Sequence, residues 1–165
     1  MKRLILVLTV WAAFSPIVHA QETDQPFLTY HPYDFRLAPG MSVHPNSFLL
    51  VGSGEYRLDR FFALGLLLQA GLGHQSWVTP TVGGRFIAPI YALKRVEFSL
   101  QSGIGWTYRS DGTLNFTNFV YEISPNVDVY ILPYLTVGVG YILNVVSEDT
   151  VAFMNSVYAS VGYRF

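Results

Sequence analysis

The residues best suited to direct chemistry are His74 and Ser76, in the stretch GHQSW. An imidazole beside a serine hydroxyl can take up the hydroxyl proton and so create a nucleophile for hydrolysis. Residues two positions apart in a strand share a face, so this spacing would let the two side chains meet. No Asp or Glu lies between residues 77 and 90 to orient the histidine. We therefore keep His74 and Ser76 as weak catalytic candidates and expect a protein that is not an enzyme.

Metal and cofactor chemistry has less support. The chain contains no cysteine, which excludes disulfides and thiolate metal sites. His31 and His44 are isolated, and Asp111, Glu148 and Asp149 fall in stretches that we expect to be solvated loops. The sequence therefore predicts neither a metal site nor a cofactor.

A further set of residues carries charge inside otherwise apolar segments. Its members are Arg36, Glu55, Arg57, Arg85, Glu97, Glu122, Asp128 and Arg164. Four are cationic and four are anionic, so their charges balance. Because buried charges are tolerated when they are paired, we expect these residues to form a polar network that fills a narrow interior. The alternative is that the same residues line a narrow path for small solutes or ions.

The segments that must position these charges alternate apolar and polar residues, which predicts strands. Eight such segments follow one another, at residues 34–44, 47–58, 61–74, 77–90, 95–108, 118–131, 135–146 and 156–165. The connections 59–60, 91–94 and 132–134 are short, whereas 109–117 and 147–155 are longer. Short turns at one end and longer loops at the other are typical of an up-and-down barrel.

The two faces of these segments differ in size and in charge. In the segment 61–74, Leu64, Leu66 and Leu68 share one face, while Gly65 and Gln69 lie on the other. No Asp, Glu, Lys or Arg falls on the bulky face of any segment. The interior of an eight-stranded barrel is just wide enough for side chains, so the small and polar face is expected to line it.

The bulky face is then expected to meet lipid, where an Arg at the midplane would cost about 2–4 kcal/mol. A closed barrel also pairs its backbone groups without water, as a membrane requires. The sequence therefore predicts an all-β fold, an eight-stranded antiparallel up-and-down transmembrane β-barrel.

The first 20 residues have the features of a secretory signal peptide. Lys2 and Arg3 precede an apolar stretch, and the small-x-small pattern VHA ends at Ala20. Cleavage there would leave a short periplasmic arm, residues 21–33, and one barrel domain, residues 34–165. Eight Lys and Arg would remain against 11 Asp and Glu, which argues against nucleic-acid binding. No later stretch reaches the ~18 apolar residues of a spanning helix.

The chain ends inside a strand pattern, in which Ala159, Val161, Tyr163 and Phe165 alternate with other residues up to the last position. Together with the eight segments and the export signal, this pattern resembles the small eight-stranded outer-membrane barrels of Gram-negative bacteria, of the OmpA and OmpX type. Ser160 stands where that family often has glycine. The resemblance implies that the four alternating residues form the signal read by the barrel-insertion machinery. It also implies handling by periplasmic chaperones and residence, as a monomer, among outer-membrane lipid and lipopolysaccharide.

The same resemblance bears on function. Some barrels of this type act on lipid A with a His and a Ser near the outer rim, and His74 and Ser76 match that pair without its downstream acid. Others bind through long outer loops, whereas the loops here are short or modest. We therefore expect a structural or envelope-related role with a polar, largely plugged interior. The alternatives are a narrow channel for small solutes or ions and a lipid A-modifying enzyme.

Overall fold

Each alternating stretch forms a strand. The computed structural model describes residues 30–73, 76–110, 115–147 and 152–165. Its strands are β1 Tyr33–His44, β2 Ser47–Arg57, β3 Phe62–Gly73, β4 Ser76–Ile90, β5 Val96–Ser110, β6 Asn115–Leu132, β7 Leu135–Ser147 and β8 Ala152–Arg164. A short 3-10 turn, Tyr91–Leu93, joins β4 to β5. Within these ranges no helix has the length and apolar character needed to cross a membrane.

Each strand pairs antiparallel with the next, and β8 pairs with β1 to close the barrel. In this seam Phe35 lies opposite Tyr163, and Leu37 lies opposite Val161. The Tyr33 N–H donates to the Phe165 carbonyl oxygen at 3.0 Å, and the Phe165 N–H donates to the Tyr33 carbonyl oxygen at 3.1 Å. The predicted eight-stranded antiparallel barrel is confirmed, and the last residues of the chain are part of its wall.

The two ends of the barrel differ in their connections. The terminal end is the one at which β1 begins and β8 ends, and it also holds the turns at 58–61, 91–95 and 133–134. At the opposite end, Ser110 pairs with Asn115 and Val146 pairs with Ala152. The predicted connections 109–117 and 147–155 are therefore too long. Strand pairing continues past the apolar alternation because backbone hydrogen bonds there do not require apolar side chains.

Exposure separates the two faces of the sheet as expected. Leu66 is 65% exposed and Val139 is 61% exposed, whereas Arg85 is 2% exposed and Glu122 is fully buried. Bulky apolar side chains thus cover the outside of the barrel, and the charged side chains of the strands lie inside it. This arrangement is the reverse of a soluble barrel, which buries its apolar side chains.

The interior also contains an apolar cluster, which the sequence did not predict. Its members are Ala38, Leu49, Val51, Leu67, Trp77, Val120, Ile142, Val146 and Met154. Trp77, near the opposite end, lies across from Gly71, where an added Cβ would come within 2.0 Å of the Trp77 Nε1 atom. The expected interior of small and polar residues is therefore wrong in this part of the barrel. A glycine in one strand makes room for a large inward side chain on the next.

Candidate functional site

The charged side chains of the strands meet inside the barrel at the terminal end. Alternation along β1 also turns Asp34 inward, where it is fully buried between Glu55 of β2 and Arg164 of β8. Asp34 was not among the residues predicted to form the interior network. The charged layer, as we call this group, consists of Asp34, Arg36, Glu55, Arg57, Arg85, Glu97, Asp128 and Arg164.

Arg85 of β4 lies at the centre of the charged layer. Its Nη1 atom is 2.8 Å from Glu55 Oε2 and 3.5 Å from Asp34 Oδ2. Its Nη2 atom is 3.2 Å from Asp128 Oδ2 and 3.3 Å from Glu97 Oε1. These carboxylates belong to four different strands. One guanidinium group therefore links several walls of the barrel across the lumen.

Arg36 of β1 bridges the lumen in a second direction. Its Nη1 atom is 2.7 Å from Asp128 Oδ2 of β6, and its Nη2 atom is 3.0 Å from Asp34 Oδ2. Positions on neighbouring strands alone would place Arg36 beside Glu55 and Arg164. The lumen is narrow enough for its side chain to reach the far wall instead, and sequence adjacency cannot show that.

Arg164 of β8 completes the layer with an aromatic partner. Its Nε atom donates to Asp34 Oδ2 at 2.9 Å, and its Nη2 atom bonds to Glu97. Its guanidinium carbon lies 4.7 Å from the centre of the Tyr130 ring, and the Tyr130 hydroxyl donates to Glu97 Oε2 at 2.7 Å. Tyr130 is thus a buried member of the site. The alternation of β6 was the signal that could have found it.

The charged layer carries no net charge. Four arginines face four carboxylates, and each of these side chains is buried or nearly so. A buried ion pair offsets its desolvation cost only when its geometry and hydrogen bonds are good. Most of these groups meet that condition, so the layer joins six strands across the lumen through ion pairs and hydrogen bonds.

Glu122 stands apart from the charged layer. Its carboxylate accepts a hydrogen bond from Thr81 Oγ1 at 2.5 Å and from Gln69 Nε2 at 3.3 Å. Gln69 is held in turn by Asn144, whose Nδ2 atom donates to Gln69 Oε1 at 2.8 Å. No arginine of the described chain forms an ion pair with Glu122. Glu122 is therefore an interior polar residue whose described contacts do not join it to the charged layer, and Asp34 supplies the fourth acid of the layer.

The residues just before β1 are held against the end of β2 at the terminal end of the barrel. The Tyr30 hydroxyl donates to the Arg57 carbonyl oxygen at 2.5 Å, and the Arg57 N–H donates to the Pro32 carbonyl oxygen at 2.8 Å. His31 lies between these two anchors. Burial lowers the pKa of the His31 imidazole below its usual value, and the positive charges of Arg164 and Arg57 lower this pKa further.

The catalytic candidates are not shown as a pair. Ser76 is the first residue of β4 and is exposed at the opposite end of the barrel, while β3 ends at Gly73. His74 lies outside the described residues, as do the loop acids Asp111, Glu148 and Asp149 and the predicted signal peptide. Ser76 therefore does not belong to the strand that was expected to present both side chains.

The four residues of the expected insertion signal all face outward. Val161, Tyr163 and Phe165 are each at least half exposed, and Ala159 lies on the same face. The Phe165 ring stacks on Phe35 with centroids 5.7 Å apart and also contacts Tyr33 and Tyr163. The alternating end of the chain thus forms an aromatic cluster over the β8–β1 seam.

Metal ligands are not grouped in this structure. Among the residues it describes, no cluster of three or more His, Asp or Glu side chains could hold a metal ion.

Comparison with known proteins gives similarity of fold alone. No family model matches the chain, and no curated protein sequence matches it. The N-terminal barrel domain of Pseudomonas aeruginosa OprF is 9% identical, with a TM-score of 0.63 over 79% of this chain and 96% of that one. A de novo designed transmembrane β-barrel is 15% identical, with a TM-score of 0.59 over 83% of this chain and 98% of that one.

The outer-membrane enzyme PagL is also similar, at 14% identity, with a TM-score of 0.53 over 80% of this chain and 99% of that one. A natural barrel domain, a designed barrel and an enzyme therefore share this architecture, and fold alone does not assign a role. By its strand number, pairing and closure, the chain has the fold of the small eight-stranded outer-membrane β-barrels.

Proposed function

We propose that the chain is an outer-membrane protein with a structural or envelope-related role and without enzymatic activity. It is exported by a signal peptide cleaved after Ala20. The terminal end faces the periplasm, and the opposite end faces the outside of the cell. Lipid and lipopolysaccharide surround a single copy, which chaperones and the barrel-insertion machinery deliver to the membrane. The apolar exterior and the shared fold support this location.

The side-chain contacts across the lumen are the observation that carries the proposed role. The charged layer fills the terminal half of the lumen with four arginines and four carboxylates from six strands. The apolar cluster with Trp77 fills much of the remainder. Both groups bring side chains from several walls into contact, so a hydrated ion would have to displace them to pass.

Conductance in planar bilayers tests this role. We expect the purified barrel to give no steady conductance, because two packed layers lie in series. Migration on a gel with and without boiling serves as the control, since a folded barrel shifts on heating and an unfolded chain does not. A large and steady conductance from heat-modifiable protein would rule out the plugged interior and favour the narrow channel.

The lipid A-modifying alternative rests on His74, Ser76 and the shared fold with PagL. Its test compares the lipid A of cells that express the wild-type chain or the Ser76→Ala variant. We expect identical mass spectra, also when compared with cells that lack the protein. A mass change that depends on Ser76 would replace the structural role by an enzymatic one.

A further inference from the structure

A pair of hydroxyl groups lies on the outer wall of the barrel, among apolar side chains. Ser102 of β5 and Tyr121 of β6 both face outward, and the Ser102 Oγ atom lies 2.9 Å from the Tyr121 hydroxyl oxygen. Ser102 is half-buried between Leu100 and Ile104, which are 42% and 50% exposed on the same face, and Tyr121 is 42% exposed. The pair is therefore accessible from outside the barrel.

The pair lies away from both ends of the barrel. Ser102 is near the middle of β5, opposite Gly84 of β4 and Ile123 of β6. Tyr121 lies opposite Ile104, which is nearer the opposite end. Its ring must therefore point toward the middle of the wall for its hydroxyl to reach Ser102. In a membrane, both hydroxyls would lie in hydrocarbon rather than at the boundary with water.

Each hydroxyl of this pair retains hydrogen-bonding capacity. Within the described chain, the bond between Ser102 and Tyr121 is the only hydrogen bond of either hydroxyl. A hydroxyl can donate one bond and also accept. The Tyr121 hydroxyl therefore still has its donor, and Ser102 Oγ still has an acceptor position. Hydrocarbon offers no partner for either, and polar groups left unpaired there are costly.

We propose that this patch is the contact between two copies of the chain in the membrane. A two-fold axis beside the pair places Tyr121 of each copy against Ser102 of the other. Each tyrosine then donates to the serine of the other copy, and each serine donates to the tyrosine of its own copy. The four hydroxyls form a closed ring in which every group donates one bond and accepts one. Leu100 and Ile104 flank the ring and exclude lipid from it.

Complementary hydrogen bonding identifies the occupant of the patch as a second copy. An acyl chain brings no polar group to this depth, because the polar parts of lipids lie in the interfacial regions. The proposal rests on the membrane location proposed above, and copies that enter the membrane singly associate there afterwards. Hydrogen bonds between side chains in membranes contribute little each, so we expect a weak and reversible pair.

The test is sedimentation equilibrium of the folded barrel in a density-matched non-ionic detergent, over a range of protein-to-detergent ratios. We expect an equilibrium between monomer and dimer. We expect Tyr121→Phe to weaken the dimer about fivefold or more, because both hydrogen bonds between the copies are lost. Ser102→Ala should weaken it by a similar factor, and it covers the case in which Tyr121→Phe does not fold.

Tyr141→Phe is the matched control for the loss of a tyrosine hydroxyl. Tyr141 is 38% exposed on the outer wall, and its hydroxyl donates to Asn155 Oδ1 of the neighbouring strand at 2.9 Å. Asn155 lies beside His44, the last residue of β1, so this bond is near an end of the wall. We expect Tyr141→Phe to change dimerisation about twofold or less. A wild-type chain that stays monomeric at every ratio, or equal weakening by Tyr121→Phe and Tyr141→Phe, would overturn the proposal.

Cross-linking in lipid vesicles tests where the two copies meet. The chain has no cysteine, so one can be introduced on a chosen wall. Ile104→Cys, beside the ring, should form a disulfide between copies when copper phenanthroline is added as the oxidant. Leu37→Cys should not, because Leu37 is 59% exposed on β1, on the far side of the barrel from β5. Equal or greater cross-linking at Leu37→Cys would contradict the proposed contact.

Two checks separate this pairing from the proposed membrane location. A shift in gel migration on heating shows that the barrel is folded, and flotation with vesicles in a density gradient shows that it is embedded. A chain that passes both checks and stays monomeric would refute the pairing alone. A chain that fails them would refute the membrane location, and the pairing with it.

Discussion

Glu122 shows that the energetic cost of a buried charge depends on its surroundings. The carboxylates of the charged layer contact arginines, whereas the described contacts of Glu122 are neutral hydrogen-bond donors from Thr81 and Gln69. Its Oε1 atom has no partner among the described residues. An ionised carboxylate without a counter-cation is costly to bury. Glu122 should therefore reduce the stability of the barrel, in contrast to Glu55, which pairs with Arg85 at 2.8 Å.

The same substitution at these two positions should act in opposite directions. Glu122→Gln keeps an acceptor for Thr81 and removes the charge, and we expect the free energy of unfolding to rise by about 1–3 kcal/mol. Glu55→Gln leaves Arg85 short of a carboxylate, and we expect a decrease of about 3 kcal/mol. Urea titration of the barrel in lipid vesicles measures both. A decrease in the free energy of unfolding in both variants would mean that Glu122, like Glu55, is stabilised by a positively charged partner.

The strands near the seam were predictable because a period of two identifies both the element and its faces. The ends of β6 and β8 were not, because the residues that extend these strands lie beyond the apolar alternation. The inward position of Trp77 was missed for a related reason. Alternation assigns a residue to a face, but only the neighbour Gly71 shows that a large side chain fits there.

The aromatic cluster over the β8–β1 seam should stabilise closure of the barrel. Phe165→Ala removes ring contacts with Phe35, Tyr33 and Tyr163. Each such contact is worth about 0.5–1.5 kcal/mol, so we expect a loss of about 1.5–4.5 kcal/mol in vesicles that contain no insertion machinery. Phe153→Ala is the control, because Phe153 lies on the same strand, is 52% exposed against 53% for Phe165, and has no described ring contact. Equal losses of unfolding free energy in the two variants would show that the ring contacts of Phe165 add no stability beyond the contact of its side chain with lipid.

At the scale of the whole molecule, the plugged interior that we propose has two different closures in series, the charged layer and the apolar cluster. The charged layer depends on contacts across the lumen that link distant strands, such as Arg36 to Asp128. The sequence indicated which charged residues other than Asp34 face inward, but it did not show which of them meet across the lumen. The apolar cluster depends on the packing of side chains instead. A substitution that removes ion pairs therefore weakens one closure, and a substitution that removes a packed apolar side chain weakens the other.

This series arrangement predicts the conductance of variants. We expect Arg85→Ala and Trp77→Ala each to remain without steady conductance, because one closure persists in either variant. The double variant should conduct, provided that gel migration shows it to be folded. Steady conductance in one single variant would assign the barrier to that closure alone.

The positions of Trp77 and Trp106 give the barrel two optical reporters. Trp77 is 1% exposed inside the lumen, and Trp106 is 53% exposed on the outer wall. Brominated acyl chains should quench the fluorescence of Trp106 and leave that of Trp77 nearly unchanged, while aqueous acrylamide should reach neither in the inserted state. Variants that keep one tryptophan each would thus distinguish contact of the wall with lipid from filling of the lumen during assembly.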